Sequence, residues 1–338
     1  MSHAKIEDVA RQAGVSTATV SRVLSGKTNV SDGTRQRVLG VARQLDYRPS
    51  RVAQSLRSQK SHIIGVLLSD IQNPFFTSMV RAIEDVAYNH GYSLMLCNTD
   101  EDPEKEALYI DLMLSQNVAG VILSPSVATE ETTCSAYSLL IDAKMPVVIV
   151  DRRLPNEEVD TVVVDSMNAS YKMISHLIEQ GHQRIGCVVG PTNVSTGKER
   201  RDGYLKALKD HKIPMDNALL RSGVAKVEPG YYMTSELLSL DNPLTALFTG
   251  NNLLTIGALR AIHERGLIMP TDIALAAFDE MDWMFVMNPP LSVVAQPTYM
   301  MGSAAADLLL ARIAYPDRAV SIIALQPKIH FRGSSVSP

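Results

Sequence analysis

Short apolar runs alternate with amphipathic stretches from Ile63 onward, and this alternation restricts the fold more than any other feature of the sequence. Residues 63–68 are apolar or glycine, and a helical pattern follows over about 74–90. Further apolar runs lie at residues 94–96, 121–123 and 147–150, and a second series lies at 162–164, 185–189, 246–248 and 273–275. Strands that alternate with helices are typical of parallel sheets covered by helices on both faces. Two such series predict two similar α/β lobes, with a ligand site at the strand ends that face the cleft between them.

The first sixty residues follow a different, helical pattern. Apolar residues recur at helical spacing in three stretches, over 6–13, 20–24 and 38–45. Gly14 suits a left-handed turn after the first stretch, and Ser16 and Ser31 suit the N-caps of the second and third helices. Two short helices joined by a tight glycine turn and braced by a third form a helix-turn-helix. The sequence therefore predicts an all-α helix-turn-helix headpiece over residues 1–48.

The exposed face of the second predicted helix carries small and hydroxylated side chains and, toward its C-terminal end, one arginine. Such a face fits a major groove about 12 Å wide, where an arginine can donate two hydrogen bonds to guanine and an alanine can contact a thymine methyl group. A helical pair that packs against another protein is the alternative. The residues expected to contact DNA on this face are Thr17, Ala18, Thr19, Ser21 and Arg22.

The charge of the chain is divided unevenly between its two parts. Residues 1–60 hold 11 Lys and Arg against four Asp and Glu, whereas the remainder holds 21 basic and 32 acidic residues. A small basic unit joined to a large acidic one indicates that the first part meets a polyanion. A basic face without a partner is the alternative.

A basic segment at residues 49–60 connects the two parts. Pro49 disfavours helical geometry at Arg48, so the third helix ends there. The sequences DVARQAGVSTATVSRVLSG (8–26) and YRPSRVAQSL (47–56), and most of the remaining chain, resemble the LacI/GalR family of repressors. The resemblance implies that residues 49–60 form a hinge helix that folds on operator DNA and inserts Leu56 into the minor groove. It extends the expected DNA contacts to Ser50, Arg51 and Ala53; packing of Leu56 on the acidic core is the alternative.

The resemblance also implies a two-lobed core like that of periplasmic binding proteins over residues 61–332. We expect lobe one to span about 61–160 and 290–320, and lobe two about 161–289 and 321–332. Effector contacts are expected just beyond the strand ends, where NPFF (73–76), KERRDGY (198–204), TGNN (249–252) and AFDE (277–280) resemble family positions. Asn252 and Ala277 depart from a more usual Asp and Gly.

Eight residues are the candidates for the effector site. Two adjacent phenylalanines are not expected both to face a helix-packed core, so one of them is expected to line the cleft. Any single candidate could instead be a helix cap or a surface charge, and the arginine after the fourth strand could face solvent or the hinge. The candidates are Asn73, Phe75, Phe76, Arg152, Arg200, Asn251, Asp279 and Trp283.

Donor and acceptor side chains beside an aromatic wall suit a hydroxylated ligand. We therefore expect a sugar or sugar acid as the effector, and a phosphorylated sugar or a purine remains open. Arg200 could equally hold a carboxylate or phosphate. The sequence contains no phosphate-binding loop and no nucleophile–base motif, so we expect neither an enzyme nor a cofactor.

The remaining expectations concern location and assembly. The three cysteines form no metal or disulfide pattern, and no apolar run reaches the about 18 residues of a membrane span. With no signal peptide, we expect a cytoplasmic protein rather than an exported sugar receptor. A helix-turn-helix half-site is usually read by a symmetric dimer, so the expected partner is a pseudo-palindromic operator. The absence of C-terminal heptads favours a homodimer over a tetramer.

Overall fold

The computed structural model describes residues 4–24, 30–47, 61–126, 137–154 and 159–336. The chain divides into two compact units, Met1–Ser61 and His62–Pro338. The predicted linker contacts Ser50, Arg51, Ala53 and Leu56 lie outside the described residues. Within the described ranges, every helix is too short or too polar to span a bilayer.

In the described part of the first unit, three helices form a bundle: α1 (Ile6–Ala13), α2 (Thr17–Leu24) and α3 (Asp32–Gln44). Val9, Val20 and Val38 are fully buried, one from each helix, because the apolar residues of each helix lie on one face. Gly14 ends α1 with φ 64°, a left-handed conformation that glycine adopts without a steric penalty. These features confirm the predicted helix-turn-helix.

The second unit alternates strands with helices over most of its length. Its elements, in chain order, are β1 (Ile63–Leu68), α4 (Pro74–Asn89), β2 (Ser93–Asn98), α5 (Pro103–Ser115), β3 (Gly120–Leu123), β4 (Val147–Val150), β5 (Asp160–Val164), α6 (Ser166–Glu179), β6 (Ile185–Val189), α7 (Ser195–Asp210), β7 (Leu220–Ser222), α8 (Val227–Leu237), β8 (Ala246–Thr249), α9 (Asn252–Glu264), β9 (Ala274–Phe278), α10 (Asp282–Val286), β10 (Ser292–Ala295), α11 (Thr298–Ala314), β11 (Ile322–Leu325) and β12 (Lys328–His330).

The strands form two six-stranded sheets, each the centre of one lobe. The order in lobe one is β11-β5-β4-β3-β1-β2, and the order in lobe two is β12-β10-β9-β8-β6-β7. All neighbouring strands are parallel except β10 and β12, which pair antiparallel. Apolar clusters lie on both faces of each sheet, which explains why the central strands are buried along their whole length. The predicted two-lobed core with parallel sheets is confirmed.

The sheet topology corrects the predicted boundaries of the lobes. β5 was expected in lobe two, but it pairs with β4 and β11 in lobe one. β10 was expected in lobe one, but it pairs with β9 in lobe two, and β11 lies in lobe one instead of lobe two. The chain therefore crosses between the lobes after β5, β10 and β11. Apolar runs predict that a segment is a strand, but they do not determine which sheet it joins.

Candidate functional site

The helix-turn-helix presents one face of α2 to solvent. The Ser16 hydroxyl accepts a hydrogen bond from the Thr19 amide at 3.2 Å, which caps the helix as predicted. Ala18 and Arg22 are exposed, and because they lie four residues apart they share a face of the helix. Thr17 and Ser21, also four residues apart, are half-buried. The fully exposed part of the predicted reading face is thus the alanine and the arginine, with hydroxyl groups beside them.

A cavity of about 230 Å³ lies between the two lobes of the core. Loops after β1, β2, β3 and β4 line it from lobe one, and loops after β6, β7, β8 and β9, together with the start of α7, line it from lobe two. This position at the carboxyl ends of parallel strands is the one that the topology favours for ligands. Seven of the eight predicted effector residues line the cavity: Asn73, Phe75, Phe76, Arg152, Arg200, Asn251 and Asp279.

Trp283 is the exception among the eight. Its side chain is half-buried and packs against the apolar cluster of lobe two that includes Met284 and Leu291. It does not line the cavity. Proximity to Asp279 in sequence suggested a cleft position, but α10 turns the indole toward the core of its own lobe.

Phe75 and Phe76 occupy the first turn of α4, where the core of lobe one meets the cavity. Both are only 4% exposed, and their rings are arranged edge to face with centroids 5.0 Å apart. The expectation that only one of them could face the core was wrong. At the end of a helix, two adjacent side chains can both pack inward and still border the cavity.

Two asparagines at the cavity cap helices. Asn73 caps α4, and its Oδ1 accepts hydrogen bonds from the Phe75 amide at 3.0 Å and from Asn252 Nδ2 at 2.8 Å. Asn251 caps α9 by accepting a hydrogen bond from the Leu254 amide at 2.8 Å. The helix-cap alternative raised for these residues is therefore realised, and it coexists with a cavity position.

Arg152 lies behind the wall of lobe one. Its guanidinium donates two hydrogen bonds to the Glu101 carboxylate, at 2.7 and 2.6 Å, and one to the Ser126 carbonyl at 2.9 Å. It thereby joins the loops that follow β2, β3 and β4. A guanidinium held in this way stabilises the lobe-one wall of the cavity, and it has few free donors for a ligand.

Arg200 reaches the cavity from α7. Its guanidinium lies 3.9 Å from the centroid of the Phe278 ring, and Nη1 donates a hydrogen bond to the Gly250 carbonyl. Within the described part of the chain, its buried Nε has no hydrogen-bond partner. An aromatic face and one carbonyl fix the guanidinium, and no described residue accepts a hydrogen bond from Nη2, which leaves donor capacity for a ligand.

Asp279 follows β9 with φ 72°, in the left-handed region. Its two carboxylate oxygens accept hydrogen bonds from Gln296 Nε2 at 2.6 Å and from the Asn252 amide at 3.2 Å. Gln296 lies where the chain crosses from β10 to α11, so Asp279 is tied to a crossover between the lobes.

Asp151 is a cavity residue that the sequence reasoning missed. It follows β4 directly and also has a left-handed backbone, with φ 67°. Burial raises the pKa of its carboxyl from 3.8 to about 6, although Arg152 and Arg200 act in the opposite direction. No described residue donates a hydrogen bond to its carboxylate, and Arg152 Nε lies 3.7 Å away. The signal was available: Asp151 is the first polar residue after a buried strand.

Asp70 and Lys226 were also missed. Asp70 follows β1 in lobe one, and Lys226 precedes α8 in lobe two. The Lys226 ammonium donates a hydrogen bond to Asp70 across the cleft at 2.8 Å. Among the described residues, no group of three or more His, Cys, Asp or Glu side chains is placed to hold a metal ion.

Comparison with known proteins places both units in one family. Residues 5–50 match the family described as bacterial regulatory proteins, lacI family, and residues 61–331 match periplasmic binding proteins and sugar binding domain of LacI family. The transcriptional repressor PurR of Mannheimia succiniciproducens is 33% identical over 331 residues, which cover 98% of each chain.

Two solved structures resemble both the sequence and the fold. The lac repressor dimer bound to operator and an anti-inducer has a TM-score of 0.88 and 25% identity, and the match covers 99% of this chain and 100% of the repressor. A LacI family regulator from Enterococcus faecium with bound ribose has a TM-score of 0.72 and 30% identity, and the match covers 82% of this chain and 99% of that regulator.

Proposed function

The chain belongs to the LacI family of bacterial regulatory proteins as a DNA-binding repressor with an effector-binding core, and from this premise we propose that an uncharged, hydroxylated small molecule controls its affinity for operator DNA. The relatives are transcription repressors and not enzymes.

The placement of Asp151 and Arg200 in one cavity is the observation that carries this proposal. The two side chains line the cavity from opposite lobes. Among the described residues, none donates a hydrogen bond to the Asp151 carboxylate, and none accepts one from Arg200 Nη2. A hydroxyl group satisfies both because it donates and accepts hydrogen bonds. A ligand with several hydroxyls would bridge the lobes through this pair and fix their arrangement.

The distribution of charge around the cavity favours an uncharged effector over a sugar acid or phosphate. Lys226 is paired with Asp70, and Arg152 is paired with Glu101. Among the described residues of the lining, Arg200 is the remaining cation, and it lines the same cavity as the carboxylates of Asp151 and Asp279. An anionic ligand would add negative charge where two carboxylates already lie.

The size of the cavity and the solved relatives support a monosaccharide. A volume of about 230 Å³ is below the roughly 300–1,000 Å³ of pockets that take drug-sized ligands. The Enterococcus faecium regulator holds ribose, and its chain is 30% identical to this one. A purine is the second candidate, because the N–H and carbonyl groups of its edge would also match Asp151 and Arg200.

We propose a homodimer that reads a pseudo-palindromic operator in the cytoplasm, through α2 and through the linker at residues 49–60. The lac repressor, which resembles this chain, is bound to its operator as a dimer. The core offers an apolar surface for a second copy: Leu108 and Leu112 share one face of α5 and are 64% and 38% exposed. Leu96 is 42% exposed on β2, the edge strand of lobe one. Light scattering that gave a monomer or a tetramer at micromolar concentration would contradict the dimer.

A matched ligand panel tests the proposed effector class. Thermal shift is measured with ribose, glucose and galactose, with their aldonic acids and phosphates, and with adenine, guanine and hypoxanthine. We expect an uncharged sugar to raise the Tm of the wild-type protein and to leave the Tm of the Arg200→Met variant unchanged. Methionine keeps the packing on Phe278 but donates no hydrogen bond to the sugar. Stabilisation by anionic sugars alone, or by purines alone, would contradict the proposal.

A further inference from the structure

The two lobes are held together by polar contacts that need no effector. On one rim of the cavity, Lys226 of lobe two pairs with Asp70 of lobe one at 2.8 Å. On the other rim, the Arg153 amide of lobe one donates a hydrogen bond to the Ser195 hydroxyl of lobe two at 2.8 Å. The buried bond from Asn252 to Asn73, also 2.8 Å, joins the lobes between these rims.

The environment of the Lys226–Asp70 pair makes it more than a surface contact. Asp70 is 5% exposed, so its carboxylate depends on the protein for partners; one oxygen accepts a hydrogen bond from the Gln72 amide and the other from Lys226. Lys226 also contributes, after Lys105 and Asn98, to the lowered pKa of Asp100 in lobe one. The ammonium thus faces two carboxylates of the opposite lobe, and opening the cleft would leave the Asp70 carboxylate without its cation.

We infer that Lys226 is a positioning residue that latches the two lobes together through Asp70, so that the lobes separate only when this pair breaks. This inference rests on the proposed function only because the effector is proposed to act on the arrangement of the two lobes. The latch itself follows from the contacts between the lobes. Because a ligand shifts an equilibrium only by its differential affinity for the two states, the strength of this latch sets the equilibrium between joined and separated lobes on which the effector acts.

The Arg153 amide supplies a direct measure of lobe opening. Its hydrogen bond crosses to the opposite lobe, so the amide exchanges with solvent when the lobes separate. Its partner Ser195 begins α7, whereas Lys226 precedes α8, and these two helices pack on opposite faces of the lobe-two sheet. Exchange at Arg153 in the full-length protein thus reports the closed–open equilibrium without any effector.

The test compares Lys226→Met with a matched control, Lys206→Met. Lys206 is 48% exposed and pairs with Asp210 at 2.7 Å on the same helix of lobe two, whereas Lys226 is 39% exposed and pairs across the cleft at 2.8 Å. We expect Lys226→Met to accelerate exchange at Arg153 about fivefold, which at tenfold per 1.4 kcal/mol converts to about 1 kcal/mol. Lys206→Met should leave the rate unchanged, and an unaltered Tm for both variants would show that both are folded.

A double variant separates the latch from a local effect. If Lys226 acts through Asp70, Asp70→Asn should accelerate exchange at Arg153, and Asp70→Asn with Lys226→Met should accelerate it no further. Equal rates for Lys226→Met and Lys206→Met, or additive effects of the two cleft substitutions, would overturn the inference. Neither result bears on which ligand stabilises the wild-type protein, so the proposed effector class is tested independently.

Discussion

Replacing Asp151 by asparagine should stabilise the effector-free protein while removing its ability to bind the effector. The Asp151 side chain is only 8% exposed, and burial is the largest cause of its raised pKa. Asparagine is nearly isosteric but carries no charge, so the substitution removes the cost of burying a carboxylate without a hydrogen-bond donor. A residue that binds a ligand can lower the free energy of unfolding of the ligand-free protein, because its position serves binding and not stability.

The magnitude follows from the pKa. A rise from 3.8 in the unfolded chain to about 6 in the folded one, at about 1.4 kcal/mol per pH unit, corresponds to about 3 kcal/mol. The folded carboxyl holds its proton between these values while the unfolded one releases it. The contribution of this group to stability is therefore complete below pH 3.8 and is lost as the pH rises through about 6. The gain from Asp151→Asn should be about 3 kcal/mol at pH 7.5 and about 1 kcal/mol at pH 4.5.

Urea unfolding followed by circular dichroism at pH 4.5, 6 and 7.5 measures this difference. Asp111→Asn is the matched control, because Asp111 is exposed on α5 and the same substitution there should change the free energy of unfolding by less than about 0.5 kcal/mol. A loss of stability at pH 7.5, or a gain that does not change with pH, would refute the reasoning.

Three further predictions concern the headpiece, the core and the linker. Gly14→Ala should destabilise the helix-turn-helix by about 1 kcal/mol, because φ is 64° and no atom lies within 4 Å of the added Cβ to offset the strain; hydrogen exchange of the α1 amides should accelerate about fivefold. Asp160→Asn should cost about 3 kcal/mol in urea unfolding, since the fully buried carboxylate pairs with Arg312 at 3.0 Å and with Arg318 at 2.6 Å; a loss below 1 kcal/mol would contradict this. Leu56→Ala should weaken specific operator binding at least tenfold in fluorescence anisotropy and leave binding to unrelated duplex nearly unchanged; an equal loss on both would argue against insertion into the minor groove.

The central strands of the core were predictable because their signal is strong. Seven of the eight apolar runs correspond to β1, β3–β6, β8 and β9, because strands buried on both faces are apolar along nearly their whole length. The eighth run corresponds to β2, an edge strand that carries exposed residues. Four strands were missed: β7, β10, β11 and β12. β7, β11 and β12 lie at sheet edges and carry exposed residues, so hydrophobicity does not mark them. β10 is an internal, mostly buried strand, but it is only four residues long and begins with a serine.

The candidate site was predictable for several residues in the loops and helix starts that follow strands. Asn73, Arg200, Asn251 and Asp279 line the cavity because the carboxyl ends of parallel strands meet at one edge of each sheet. What each side chain does there depends on partners distant in sequence: Arg152 bonds to Glu101, 51 residues away. The Lys226–Asp70 pair, 156 residues apart, joins two lobes whose relative position no local pattern encodes.

Selection of DNA from a random duplex library by the full-length protein tests the central claim most directly. The account predicts that one pseudo-palindromic sequence is enriched, that its affinity falls steeply as salt rises, and that Arg22→Ala fails to enrich it. The sugar that raises the Tm should change the affinity for that duplex in the wild-type protein and not in Arg200→Met. Enrichment of no sequence, or of one without two-fold symmetry, would contradict the account.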